Sequence, residues 1–215
     1  MQKNLTFIWI IVFIFFLNGC AVVLQKGRRS DIEKIQSLRD ELSELRGARD
    51  LLSQRLSKEI ENNQVRLSMA EKGLVITFVA EVLFDSGKAK LRKESFPILD
   101  KVVRILDEEV PENNIGVEGH TDNEPIKYSR WKSNWELSSQ RALGVLYYLE
   151  ENGIKPIRLS AIGYGQHQPV TSNNSKEGKQ LNRRVEIVIL PRSNKKSGKS
   201  TDDQWQDSDY EEELK

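Results

Sequence analysis

The chain has 215 residues, room for one globular domain with extensions or for two very small domains. Lys plus Arg number 33 against 32 Asp plus Glu, a formal net charge of +1, which excludes a nucleic-acid binder driven by net charge. One Cys and two His exclude an intramolecular disulfide, a multi-Cys zinc site and a His-rich metal centre, so neither metal nor cofactor is expected.

Residues 5–17 are almost wholly apolar and are followed by Asn18-Gly19-Cys20. With Lys3 as a thin positive region, the run fits the apolar core of an export signal. Extended through Leu24, it also has about the length that spans a bilayer. Leu17-Asn18-Gly19-Cys20 resembles a bacterial lipobox, with Asn18 departing from the small or aliphatic residue usual there. That resemblance implies a lipoprotein signal peptide over 1–19, lipid on Cys20 and an anchor linker over 20–25. Ala21 in place of the Asp that retains lipoproteins at the inner membrane implies an outer-membrane address on the periplasmic side. The alternative is an uncleaved single-pass helix in the inner membrane.

Residues 26–72 interleave opposite charges and contain no Pro. Leu38, Leu42, Leu45, Leu52 and Leu56 follow a heptad seam with Arg49 in the missing place. This predicts a helical spacer of about 70 Å, or a short coiled coil through which the chain self-associates.

From Leu74 the periodicity changes. Residues 74–79 are rich in β-branched types and predict a strand, and Phe84-Asp85-Ser86-Gly87 predicts a turn. Phe96, Leu99, Val102, Val103 and Leu106 recur at helical spacing, and residues 113–119 alternate as a second strand. Ser133-Asn134 opens a helix that Gly153 stops, and residues 159–164 and 183–190 predict two more strands. The β-α-β-α-β-β order predicts one mixed α/β domain over 74–190. Residues 191–215 are charged and aperiodic, and predict a disordered tail.

At 100° per residue Leu137, Ser138, Arg141, Val145, Tyr148 and Leu149 fall with Asn134 in one stripe about 100° wide. The stripe faces the core, with Arg141 in its middle, where a guanidinium is costly unless paired. A snorkelling or structural arginine is one reading. The other is a ligand site with Asp122 of Gly119-His120-Thr121-Asp122, beyond the carboxyl end of a strand. One carboxylate and one fork-shaped cation at a single spot suit a zwitterion.

Four segments together carry a resemblance: Val117-Glu118-Gly119-His120-Thr121-Asp122; Asn134-x-x-Leu137-Ser138-x-x-Arg141-Ala142; Gly163-Tyr164-Gly165 with Pro169; and Asn182-Arg183-Arg184-Val185-Glu186. In this order they resemble the OmpA-like peptidoglycan-binding domain, found also in MotB stator proteins and peptidoglycan-associated lipoproteins. The resemblance implies that Asp122 and Arg141 clamp the free amino-acid end of diaminopimelate in the stem peptide. It also implies site roles for Asp85, for Asn134, for Asn182 and for one of Arg183 and Arg184, with Arg184 favoured, and for the Thr121 amide or hydroxyl. The stretch between Asp122 and Arg141 looks closest to the MotB-like variety. A stator's membrane helix carries an acidic residue and residues 5–17 have none, which points instead to a lipoprotein that ties the outer membrane to the wall.

His120, Asp122 and several Ser residues invite a hydrolase reading, but no Gly-x-Ser-x-Gly elbow is present and a lone strand His is usually structural. Gly163-x-Gly165 lacks the third glycine of a nucleotide fingerprint. A coiled-coil scaffold that recruits a protein partner through 26–72 is the remaining alternative.

Overall fold

The computed structural model describes residues 3–126 and 131–192, with side chains from residue 29 onward. The lipobox side chains around Cys20 and the tail beyond residue 192 lie outside the described residues. Among the residues whose side chains are described, 29–126 and 131–192, no helix is long and apolar enough to cross a membrane.

Helix α1 (Lys3–Arg55) is continuous. Its leucine seam divides in two: Leu45, Ala48, Leu52 and the following Leu56 are buried, whereas Ile32, Ile35, Leu38 and Leu42 are 40–56% exposed. The buried half packs on α4 (Phe96–Glu108), whose Leu99, Val102, Ile105 and Leu106 recur at helical spacing and share its core cluster. The helix expected to run to residue 72 therefore stops at Arg55. After a short α2 (Ser57–Glu61) the chain turns at Asn63, whose φ of 55° is a left-handed conformation that Asn tolerates. It then enters β1 (Val65–Ala70), where Val65, Leu67 and Met69 alternate toward the core. This strand lies inside the segment read as spacer. Six residues of alternation flanked by charges were too short to displace a helical reading.

Strand β1 pairs antiparallel with β2 (Gly73–Val79). A single turn, α3 (Ala80–Leu83), leads toward α4, and then β3 (Ile115–His120), α5 (Asn134–Glu151), β4 (Leu159–Gly163), α6 (Lys176–Asn182) and β5 (Arg184–Ile189) follow. The five-stranded mixed sheet has the order β1-β2-β5-β3-β4, with β3 and β4 parallel and the other pairs antiparallel. The mixed α/β class is as expected. The seven-residue α6, carrying Gly178 and no apolar stripe, was not foreseen.

Helices α4, α5 and the end of α1 cover one face of the sheet over Phe78, Ile115, Val117, Val185 and Ile187. Two glycines bring α5 onto its strands. A Cβ on Gly119 would stand 2.0 Å from the Ser138 carbonyl oxygen, and one on Gly163 would stand 2.1 Å from Ser139 Oγ. That contact seats the first turns of α5, and with them Asn134 and Arg141, beside the carboxyl end of β3. The opposite face of the sheet carries Glu118, His120, Arg184 and Glu186.

Candidate functional site

A cleft of about 790 Å³ opens where the β3–α5 connection, the α3–α4 turn and the start of β5 meet. Its charged lining is balanced: Glu81, Asp85, Asp122 and Glu124 against Lys88, Lys90, Arg141 and Arg183.

Arg141 comes from the core-facing stripe of α5 and is 4% exposed. Its Nε donates to the Lys88 carbonyl at 3.0 Å, and its guanidinium carbon lies 5.3 Å from the centre of the Phe84 ring. Among the described residues it has no carboxylate in ion-pair contact and no hydrogen-bond partner for its terminal nitrogens. Burial lowers its pKa to about 10, offset in part by Glu81 and Asp122, so it remains charged at neutral pH.

Two other arginines are buried among the described residues, and both are satisfied internally. Arg158 donates to the carbonyls of Asn113, Leu106 and Val110 at 2.7–3.0 Å, closing the C-terminal end of α4. Arg184 donates to Glu186 Oε1 at 2.6 Å and to the Asn182 and Gln168 carbonyls. Of the three buried arginines among the described residues, Arg141 alone has both terminal nitrogens without a hydrogen bond.

Asp122, also buried, accepts from the Glu124 amide on Oδ1 at 3.1 Å and from Arg183 Nη1 on Oδ2 at 2.7 Å. Arg183 is held from behind by Glu81, whose Oε1 accepts from its Nε and Nη2 at 2.8 and 2.6 Å. Burial works against the Arg183 charge, but the hydrogen bonds it donates to Asp122 and Glu81 outweigh that and raise the pKa. The structure thus brings Asp122 and Arg141 to one cleft, as expected, while the ion-pair partner of Asp122 is Arg183.

This corrects the preference for Arg184. Val185, Ile187 and Ile189 face the core, so Arg184 points to the opposite side of the sheet and Arg183 reaches the cleft. Asn182 is not in the cleft either. Its side chain, 0% exposed, accepts from the amides of Val170 and Thr171 and donates to Thr171 and Asn173, fixing that loop. Thr121 lines the cleft with both its donors committed, the hydroxyl to the Asp122 carbonyl and the amide to the Gly165 carbonyl, each at 2.9 Å. Asn134 donates to the Glu124 carbonyl at 2.9 Å, to Gln166 Oε1 at 3.1 Å and to the Asp122 carbonyl at 3.4 Å, so it shapes the loop that carries Asp122. Asp85 sits half-exposed at the rim, paired with Lys88 at 2.9 Å, and that hydrogen bond lowers its pKa.

Sequence reasoning missed Glu81, Phe84 and Trp131, whose Nε1 donates to the Gly87 carbonyl at 2.7 Å. Glu81 carried no local signal, since its role appears only when Arg183 is beside it. Arg183 was discoverable by strand parity, because α5 packs on the side of the odd-numbered residues.

On the open face, Glu118 and Glu186 stand directly opposite each other on β3 and β5. Lys72, from the β1–β2 turn, donates to both at 2.6 and 2.7 Å. His120 is 2% exposed and neither ring nitrogen has a hydrogen-bond partner; Nε2 lies 3.9 Å from Glu118 Oε2. Among the described residues this is the only His–carboxylate group with metal-ligand spacing, and the Lys72 ammonium already holds the position between the carboxylates. A second cleft of about 890 Å³ lies over this face.

A family model described as the OmpA family matches residues 83–183. Motility protein B of Bacillus subtilis (strain 168) is 45% identical over 136 residues, which are 63% of this chain and 51% of that protein. The chain therefore spans about half the length of that relative. Among solved structures, the cell wall anchor of the T6SS from Pseudomonas aeruginosa is 34% identical with a TM-score of 0.60, covering 66% of this chain and 99% of that one. A MotB-like protein from Desulfovibrio vulgaris is 29% identical with a TM-score of 0.65, covering 72% of this chain and 98% of that one.

Proposed function

This chain belongs to the OmpA family, and from that premise we propose that it is a non-covalent cell-wall anchor that clamps the diaminopimelate end of a peptidoglycan stem peptide. The observation that carries the reading is Arg141, a buried, charged guanidinium with an unbonded fork in a charge-balanced cleft. A carboxylate entering there takes both terminal nitrogens in bidentate fashion, and the low-dielectric wall strengthens the pair. Asp122 receives the ammonium. A carboxylate has about four acceptor sites, so Asp122 accepts the ligand while Arg183 continues to hold it in place. Glu81 and Asn134 are positioning residues, and Thr121 braces the loop. Asn182 and Arg184 support the fold on the far side of the cleft, and Asp85 with Lys88 forms the rim. The similarity to the cell wall anchor of the T6SS from Pseudomonas aeruginosa supports the same reading. The role is binding rather than catalysis: His120 lies on the opposite sheet face from the clamp.

Co-sedimentation with purified peptidoglycan tests this. Wild type pellets; Arg141→Ala and Asp122→Ala stay in the supernatant while circular dichroism shows both folded. Retention of both variants on the wall overturns the clamp. Amidating the diaminopimelate carboxylate removes the charge that Arg141 meets, so an amidated peptide competes more weakly than the free acid. Equal competition excludes Arg141 as the carboxylate's partner.

The other half of an anchor is attachment at the N-terminus, proposed here as lipid on Cys20 facing the periplasm from the outer membrane. The uncleaved inner-membrane helix is the alternative, and it draws support from the unbroken course of α1 and from the 45% identity to a motility protein. The mass of the mature N-terminus separates the two. Among the described side chains of α1, the exposed half of the seam, Ile32 to Leu42, is what self-association would use.

A further inference from the structure

We propose that Trp135 and His167 form a platform for the glycan strand of peptidoglycan beside the clamp. The proposal rests on the clamp reading above and names the second part of the same polymer. Trp135 is 50% exposed, an unusual fate for the largest side chain in the repertoire. It is not loose. Its ring stacks on His167 at 4.7 Å between centroids with 21° between planes. Behind the pair, the loop that carries His167 is pinned to the first turns of α5. The Gly165 amide donates to Ser138 Oγ at 2.9 Å, and a Cβ on Gly165 would stand 3.4 Å from the Trp135 backbone nitrogen.

The platform is joined to the clamp by one side chain. The Asn134 amide bonds the Glu124 and Asp122 carbonyls on the clamp side and Gln166 Oε1 on the platform side. A pyranose ring offers a flat face of C–H bonds rimmed by hydroxyl and acetamido groups. A flat, half-exposed aromatic pair with the Gln166 side-chain amide held next to it by Asn134 complements both parts of that surface. The platform also begins one residue along the chain from the clamp cleft. Two stem residues and a short linker separate diaminopimelate from the sugar, a reach of roughly 10 Å when extended. Trp135 follows Asn134, which lines the clamp cleft, and their Cα atoms are separated by about 3.8 Å.

The test is calorimetric titration of the full chain with two probes: a free stem peptide ending in diaminopimelate, and the same peptide carried on its disaccharide. Wild type is expected to bind the disaccharide-peptide about tenfold more tightly, a gain of about 1.4 kcal/mol. Trp135→Ala is expected to lose that gain and keep the affinity for the free peptide, with Trp135→Phe in between. Because the ring is half in water, the melting temperature of Trp135→Ala should stay near wild type, which separates lost stacking from lost fold. Equal affinity for the two probes in wild type, or an undiminished gain in Trp135→Ala, overturns the platform and leaves the clamp standing; a protein-docking role for the patch gives that same result. Failure of wild type to bind either probe overturns the clamp and the platform together.

Discussion

The two faces of the sheet carry much the same chemistry in opposite states. On the open face, two buried carboxylates, an ammonium and a guanidinium neutralise one another beside a buried imidazole, and Lys72 and Arg184 both end on glutamates of the cluster. On the helix face, Glu81, Arg183 and Asp122 form an equally tight chain of hydrogen bonds, but Arg141 stands at its end with no carboxylate. Burying a guanidinium without a partner costs stability, so a fold that keeps one has a use for it. Both charges are buried and only one is left incomplete; under the proposed clamp, the ligand completes it.

Exchanging the arginines breaks this comparison most directly. Arg141→Leu should weaken wall binding by at least about a hundredfold, because it removes one partner of a desolvated charge pair with the ligand. Its melting temperature should match or exceed that of wild type, since the variant loses one hydrogen bond to a carbonyl together with a buried charge that has no ion-pair partner. Arg184→Met should do the reverse. It exposes the Glu186 carboxylate to an apolar neighbour with only Lys72 remaining, and should cost about 2–3 kcal/mol by denaturant melts while the folded fraction still pellets with the wall.

Acid sharpens the contrast further. Burial lowers the His120 pKa below its ordinary 6.5, despite the facing Glu118. A folded-state pKa below the unfolded one means the unfolded chain takes up the proton first. Stability is then full above about pH 6.5 and declines as the pH falls toward the lowered value, by at most about 1.4 kcal/mol per pH unit. His120→Phe, stacked on Tyr164 as His120 is, should flatten that segment of a melting-temperature profile. Glu118 and Glu186 add a second decline below about pH 4.5: burial alone raises their pKa, but Lys72, with His120 for Glu118 and Arg184 for Glu186, brings both below the ordinary value. The smallest effect belongs to the rim, where Asp85→Asn should change wall affinity by less than about threefold, since its exposed pair with Lys88 is screened by solvent.

The sequence exposes these features unevenly. Strands β3 and β5 and helices α4 and α5 were legible because each turns an apolar side to the core at the period of its own geometry, and β2 because its β-branched run is continuous. Strand β1 was not, because Arg66, Ser68 and Glu71 continue the charge pattern of the helix before it and only Asn62-Asn63 marks the change. At the site, Arg141 announced itself as a charge on an apolar stripe, and Asp122 as the carboxylate after a strand. The pairing between Asp122 and Arg183 was hidden, since it depends on Glu81, 102 residues away from Arg183 along the chain. Which side Arg184 takes could have been read from the parity of Val185, Ile187 and Ile189.

The way α1 ends has a mechanical consequence. Its last turns are not a stalk leading to the domain; Leu45, Leu52 and Leu56 are part of the hydrophobic core beneath α4. Tension or torque applied along the helix is therefore delivered into packed side chains, with no intervening loop to stretch or swivel. To slip, α1 must shear several buried leucines from their sockets at once, so axial load is shared across the core before it reaches any single bond.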